Sequence, residues 1–212
     1  MPTGTKIDLT KSLDGYRARL GEFRLIELPA SRYLAIDGHG DPNTAPAYAE
    51  ALEALYPVGY AVKFASKREL GRDYVVPPLE GLWWADEMDA FTTARDKSRW
   101  DWTMLLLLPA WVEDPLVDAV IASVRTKKAP ARLDELRILS LSEGLSLQTL
   151  HVGSFDDEAP ILARMHDEEI PARNLRLAGL HHEIYLSDAR RVAPDRRRTI
   201  LRQPVAPAAS RG

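Results

Sequence analysis

The sequence predicts an α+β fold of two duplicated strand-helix-strand-strand units, related by a pseudo-twofold axis, around a central ligand cleft. Three observations carry that prediction. Gly40 opens a polar loop into Ala45-Pro46 and a helix, and Gly153 opens a polar loop into Ala159-Pro160 and a helix. Gly81-Leu82-Trp83-Trp84 is answered by Gly179-Leu180-His181-His182, and Thr103-Met104-Leu105 with Pro109 by Thr199-Ile200-Leu201 with Pro204, in the same order. The run Trp102 to Leu108 is apolar on both faces, as a central strand must be. The units are expected at about 20–112 and 113–205 of a single domain spanning 1–205, and the tail 206–212 is expected to be disordered.

The elements follow in order. Two apolar runs, Phe23 to Leu28 and Tyr33 to Ile36, read as strands broken by Pro29-Ala30-Ser31-Arg32. The turn formers Asp37 to Asn43 lead into a helix with Tyr48, Ala51, Leu52 and Leu55 on one side. Pro57 and Gly59 interrupt it, and a second helical segment is expected to about Leu70, with Tyr60 and Phe64 on one face. Gly81 to Trp84 and Trp100 to Leu108 are strands joined by a polar loop. Asp114-Pro115 starts a helix that buries Leu116, Val117, Val120, Ile121 and Val124 and ends at Lys127-Lys128. The remainder reads strand (Leu145 to Val152), helix (Ala159 to Ile170), strand (Leu175 to Leu186), charged connection and strand (Thr199 to Val205).

Composition limits the function. With 212 residues, 45% hydrophobic and 28% charged, the chain has material for one large core, which excludes global disorder. A formal charge of -3 supplies no field that draws in nucleic acid or an anionic membrane, so neither is expected as a partner. Arg190-Arg191 and Arg196 to Arg198 are interleaved with Asp188 and Asp195 and read as a solvated connection. Cysteine is absent, which removes disulfides, thiol nucleophiles and thiolate metal sites. The start of the chain lacks a signal-peptide apolar run and no later stretch reaches membrane-spanning length, so a cytoplasmic protein is expected.

The candidate site comes from strand alternation. Leu180, Ile184 and Leu186 fall on one face, expected to pack against helices, and His181, Glu183, Tyr185 and Ser187 fall on the other. If that second face lines the cleft, Glu183 projects into it between an imidazole and a phenol. Such a carboxylate either holds a cation among aromatic rings or, once desolvated, takes a proton from water as a general base, and spacing alone leaves both open. All five tryptophans fall between Trp83 and Trp111, and each ring must fill the core or line a pocket. Trp83 and Trp84 point to opposite faces, so Trp83 is assigned to the cleft and Trp84 to the core beside Leu82; Trp102 and Met104 share a face with Trp100. Tyr60, Phe64 and His181 complete the expected ligand-binding set. His181-His182-Glu183 lacks the spacing of zinc-peptidase helices, and no phosphate-cradling glycine loop occurs, so no metal or cofactor is expected.

Several stretches resemble the GyrI-like small-molecule-binding superfamily: Tyr33-Leu34-Ala35-Ile36-Asp37-Gly38 with Gly40-Asp41-Pro42, Ala51 to Tyr56, Asp73 to Trp84, and His181 to Asp188. The likeness spans nearly the whole chain and is densest with the family's stand-alone bacterial branch, which carries no DNA-binding domain. It implies paired units of the SHS2 type about a cleft, with Glu183 matching the family's pocket glutamate. Relatives divide between multidrug-binding domains that hold hydrophobic cations and enzymes resembling cyclopropanoid cyclopropyl hydrolases, which add water to the strained ring of DNA-alkylating natural products. The aromatic content looks closer to the second group. The resemblance implies Glu183 as the base, Tyr185 as its helper, and Trp83 and Trp102 on either side of a planar hydrophobic aromatic ligand. Nothing in the sequence argues for a protein partner such as a topoisomerase.

Overall fold

The computed structural model describes residues 6–86 and 96–208. Two chain segments organise the sheet. Strands β1 (Arg24–Leu28) and β2 (Ser31–His39) are separated by Pro29-Ala30, and β5 (Arg137–Leu141) and β6 (Gly144–Val152) by Ser142-Glu143. β1 runs antiparallel to β6 and β2 to β5, and Leu28 opposite Gly144 and Ser31 opposite Leu141 keep one register across both interruptions. Pro29 has no N–H to give, so the ladder lapses there and resumes beyond it. Hydrogen bonding then passes from β6 through β9 (Arg198–Pro207), β8 (His181–Tyr185), β3 (Leu79–Trp84) and β4 (Asp101–Leu108) back to β2. The ladder therefore returns on itself.

Read outward from the central β3–β8 pair, β4 and β2 lie on one side and β9 and β6 on the other, so the halves share one topology. The spacing that carries Pro29-Ala30 onto Ser142-Glu143 also carries Gly40 onto Gly153 and Ile36 onto Thr149. Ile36 faces Met104, which faces Gly81; Thr149 faces Leu201, which faces Glu183. Gly81 and Glu183 are thus counterparts, and they also face each other across the central pair. The expected pairing of Trp83 with His181 is out of register: the counterpart of Trp83 is Tyr185. Short dipeptide matches found the right order of landmarks but slipped, because register is fixed by cross-strand packing and not by the landmarks.

One face of the sheet is covered by α2 (Pro46–Glu69) and α3 (Asp114–Lys127), which bury Leu34, Ile36, Met104, Leu106 and Leu108. Pro57 does not break α2, which is continuous where two segments were expected. Its buried stripe runs through Ala51, Ala54, Leu55, Val58 and Val62, all fully inaccessible. Burial worth about 1.5–3 kcal/mol for each large side chain outweighs the roughly 3 kcal/mol that an interior proline costs. A Cβ on Gly59 would sit 2.6 Å from Leu106, so glycine is what lets the helix approach.

The helical segment of the second half comprises α4 (Ala159–Ala163), a π-helical stretch at Arg164–Glu169 and α5 (Ile170–Ala172). Met165 and Ile170 are both buried although five residues apart, a spacing that an α-helix cannot keep on one face and a π-turn can.

The opposite face of the sheet encloses Tyr33, Ala35, Leu82, Leu105 and Leu107, capped by Leu9 of α1 (Leu9–Ser12), and a small cluster of Leu150, Ile184 and Ile200 beside Tyr16. Ile184 was expected to meet helices; it meets this interior instead, since the helices flank the cleft on the Glu183 side. Leu180 and Leu186 line the cavity, and Leu186 also packs against the cluster of Leu150, Ile184 and Ile200. A charged cluster lies in the same interior. His182 is fully buried, with Nδ1 2.9 Å from Glu143 Oε1 and Nε2 3.0 Å from Glu80 Oε2. Arg202 donates to Glu143 Oε2 at 2.8 Å, and the Tyr16 hydroxyl donates to Glu80.

Three further expectations change. β5 was not anticipated. The strand expected over Leu175 to Leu186 is split into β7 (Leu175–Leu177) and β8, with Gly179 at φ +74° in the break. Ala206 and Pro207, placed in the disordered tail, continue β9 against Arg176 and Leu175, because β7 offers them a ladder. Residues 209–212 of that tail, and most of the polar loop expected after Trp84, lie outside the described residues. Among the described residues no helix is long and apolar enough to cross a membrane.

Candidate functional site

A cavity of about 1640 Å³ lies over the β3–β8 pair, between α2 and the helical segment of the second half. Tyr48, Leu52, Tyr56 and Tyr60 line one wall from successive turns of α2; Phe155, Glu158, Leu162 and His166 line the other. Trp83, His181, Glu183 and Tyr185 complete it from the sheet, with Trp100 just before β4. Strand alternation does bring Glu183 and Tyr185 to the cavity side of β8, as expected.

At the centre, an exact twofold would set like against like. The chain has put unlike side chains there. Glu183 faces Gly81, where a Cβ would lie 2.6 Å from Met104 and 2.8 Å from the Trp83 nitrogen, so one carboxylate takes the space at the axis. The counterparts Trp83 and Tyr185 bond to each other, the indole N–H donating to the phenol oxygen at 2.9 Å. Tyr185 also lies within hydrogen-bonding reach of Glu183. Burial, and then the charge of Glu183, push its phenol well above the ordinary range, so it keeps its proton. Burial and Glu183 raise Tyr48 in the same way.

Glu158 supplies a second carboxyl group. It is only 4% exposed at the end of a short 3-10 turn, Phe155–Glu158. Burial first, and the charge of Glu183 second, raise it well above the usual carboxylate range, with Lys97 and a hydrogen bond from Thr199 opposing in part. The shift favours the protonated form of Glu158, and its Oε1 has no hydrogen-bond partner among the described residues. Two carboxyl groups in one cavity, one of them shifted toward its neutral form, form the pairing that lets acid and base act together.

The aromatic rings meet edge to face: Trp83 on Trp100 at 5.7 Å and Phe155 on Tyr185 at 5.5 Å between centroids. Lys97 pairs with Asp156 at 2.8 Å beside Trp100.

Three of the expected ligand-binding residues stand elsewhere. Trp102 is fully buried, its N–H bonded to the Gly40 carbonyl at 3.1 Å and its ring laid over Gly38, where a Cβ would come within 2.0 Å. It supports Tyr48 edge-on from behind, at 5.2 Å. Met104 is fully buried beneath Gly81. Phe64 is 55% exposed beyond the end of the cavity, with Lys63 4.4 Å from its ring, because α2 runs on past the cleft. Trp83, Tyr60 and His181 do line the cavity. Sequence reading passed over Tyr48 and Tyr56, which their four-residue spacing with Leu52 and Tyr60 could have revealed. It also passed over Glu158, hidden in the run Asp156-Asp157-Glu158, where nothing local marks the buried member. Among the described residues no group of three or more His, Asp or Glu could hold a metal ion.

The model of the GyrI-like small molecule binding domain matches residues 112–206. A conserved protein from Listeria innocua is 34% identical over 95% of this chain and all of its own length, with a TM-score of 0.85. A hydrolase from the same organism, encoded by lin2189, is 33% identical over the same shares with a TM-score of 0.83. The C-terminal domain of EcmrR, 11% identical over 88% of this chain and 98% of its own length with a TM-score of 0.53, shares the fold. Comparison with curated proteins finds no match.

Proposed function

The chain belongs to the GyrI-like small-molecule-binding family, and from that premise we propose that its cavity takes a planar hydrophobic aromatic molecule and adds water to the cyclopropane of a cyclopropanoid genotoxin. One observation carries the reading: Glu183 shares an aromatic-walled cavity with Glu158, whose carboxyl burial and then Glu183 push well above the usual range. The hydrolase name borne by a Listeria relative at about a third identity supports an enzymatic role.

In this mechanism Glu183 takes a proton from water as the water oxygen bonds to the cyclopropane methylene. The carbon–carbon bond to that methylene breaks. Its electron pair passes through the conjugated ring to the carbonyl oxygen, which takes the proton of Glu158 and becomes a phenol. The proton on Glu183 leaves to solvent and Glu158 regains one from it, so the net change is addition of one water. Tyr185, anchored by Trp83, holds the Glu183 carboxylate in place, and Trp83 from the sheet and Trp100 from the turn before β4 face the planar substrate.

The test is incubation with a duocarmycin-type cyclopropanoid, followed by mass spectrometry. A water adduct should form over many turnovers and slow by about a hundredfold or more in Glu183→Gln. An adduct rate unchanged by Glu183→Gln sinks the mechanism. If no turnover occurs but an aromatic cation quenches tryptophan fluorescence saturably, and Glu183→Gln weakens that binding, the protein is a sequestering or sensing module. The carboxylate among aromatic rings favours this second reading.

A further inference from the structure

The end of the cavity nearest the π-helical stretch holds polar atoms that the water-addition mechanism leaves unused. His166 and His181 stand edge to face, with centroids 6.3 Å apart and planes at 86°. His166 Nε2 and both ring nitrogens of His181 are inaccessible to solvent and have no hydrogen-bond partner among the described residues. Glu183 Oε1 lies 3.5 Å from His181 Nε2. The π-turn is what brings His166 here, since it lets Met165 and Ile170 both stay buried while the residue between them on the wide turn meets the cavity.

We propose that His166 and His181 form a polar subsite that hydrogen-bonds a neutral oxygen or nitrogen substituent, a carbonyl or phenol, on the planar ligand. The proposal rests on the small-molecule reading above and deepens it: it names the ligand class as uncharged aromatics bearing a hydrogen-bonding group. A buried donor or acceptor left unpaired is unfavourable, so a ligand that satisfies these nitrogens binds more tightly than its hydrocarbon isostere by about tenfold. The imidazoles suit either partner, since a neutral ring offers one donor and one acceptor. His166 is held down to about 4, by burial first and by His181 second, with Asp167 and Gln203 opposing, so it stays uncharged at neutral pH.

The test uses 9-fluorenone and fluorene, planar tricycles that differ by one carbonyl oxygen, in equilibrium dialysis against the full chain with the ligand quantified by chromatography. The wild type should bind fluorenone about tenfold more tightly than fluorene. His166→Phe, which keeps an edge-on ring, should abolish the preference and raise the melting temperature because an unpaired buried nitrogen is gone. His166→Asn should restore part of the preference, and His181→Phe repeats the experiment if His166→Phe does not fold. Equal affinity for the two compounds in the wild type, or a preference that survives both substitutions, overturns the subsite and leaves the cavity reading standing. If neither compound binds saturably, the small-molecule reading itself fails and the subsite with it.

Discussion

Raising the pH from 6.5 toward 9 should withdraw a proton from His182 and weaken the fold by an amount that the interior cluster sets. His182 is fully buried, and burial by itself favours the neutral ring. Glu143 at 2.9 Å and Glu80 at 3.0 Å outweigh that effect and the repulsion of Arg202, lifting the imidazole from 6.5 to about 9. A folded value above the unfolded one means that the contribution is complete below 6.5 and is lost as pH rises through about 9. The gap is worth about 3 kcal/mol, a large share of the 5–15 kcal/mol typical of a domain. Urea unfolding between pH 6.5 and 9.5 reads the loss. Imidazole NMR of ¹⁵N-histidine-labelled protein, with His182 assigned from its absence in His182→Gln, reads the midpoint directly. In Glu143→Gln that midpoint should fall. A His182 midpoint near 6.5, or stability flat across the window, refutes the assignment of a protonated histidine between two carboxylates.

Other outcomes follow from the same geometry. Glu158→Gln should abolish turnover yet stabilise the fold increasingly as pH rises above 4.5, because the raised carboxyl of the wild type loses stability in that direction and the amide does not; thermal unfolding at pH 4 and pH 8 checks it. Gly81→Ala places a methyl against Met104, the Trp83 nitrogen and the Tyr185 oxygen, and should cost about 1–3 kcal/mol in urea unfolding while shifting tryptophan emission as the indole–phenol bond moves. Gly38→Ala meets three atoms of the rigid Trp102 ring within 2.5 Å and should destabilise more than Gly81→Ala, which the same unfolding series measures.

Much of the site was legible where local periodicity suffices. Alternation along His181 to Tyr185 put Glu183 and Tyr185 on one side, and burial in β8 alternates accordingly. The Ala-Pro starts of both helical segments lie where the sequence marked them. Assigning tryptophans was harder. Trp100 and Trp102 share a face, but Trp102 lies over Gly38 of the neighbouring strand and vanishes into the core, while Trp100, beyond the strand end, lines the cavity.

The sequence by itself determined the class of fold, the faces of its strands and the presence of one carboxylate beside a phenol, because those depend on periods of two and three to four residues that any local stretch displays. Only the tertiary structure decided that the ladder returns on itself, that Glu158 is buried beside Glu183, and that the interior side of β8 holds a histidine between two acids. Each of those depends on which distant segment packs across a given face, and that choice is made by long-range burial and register, which no neighbouring residue encodes.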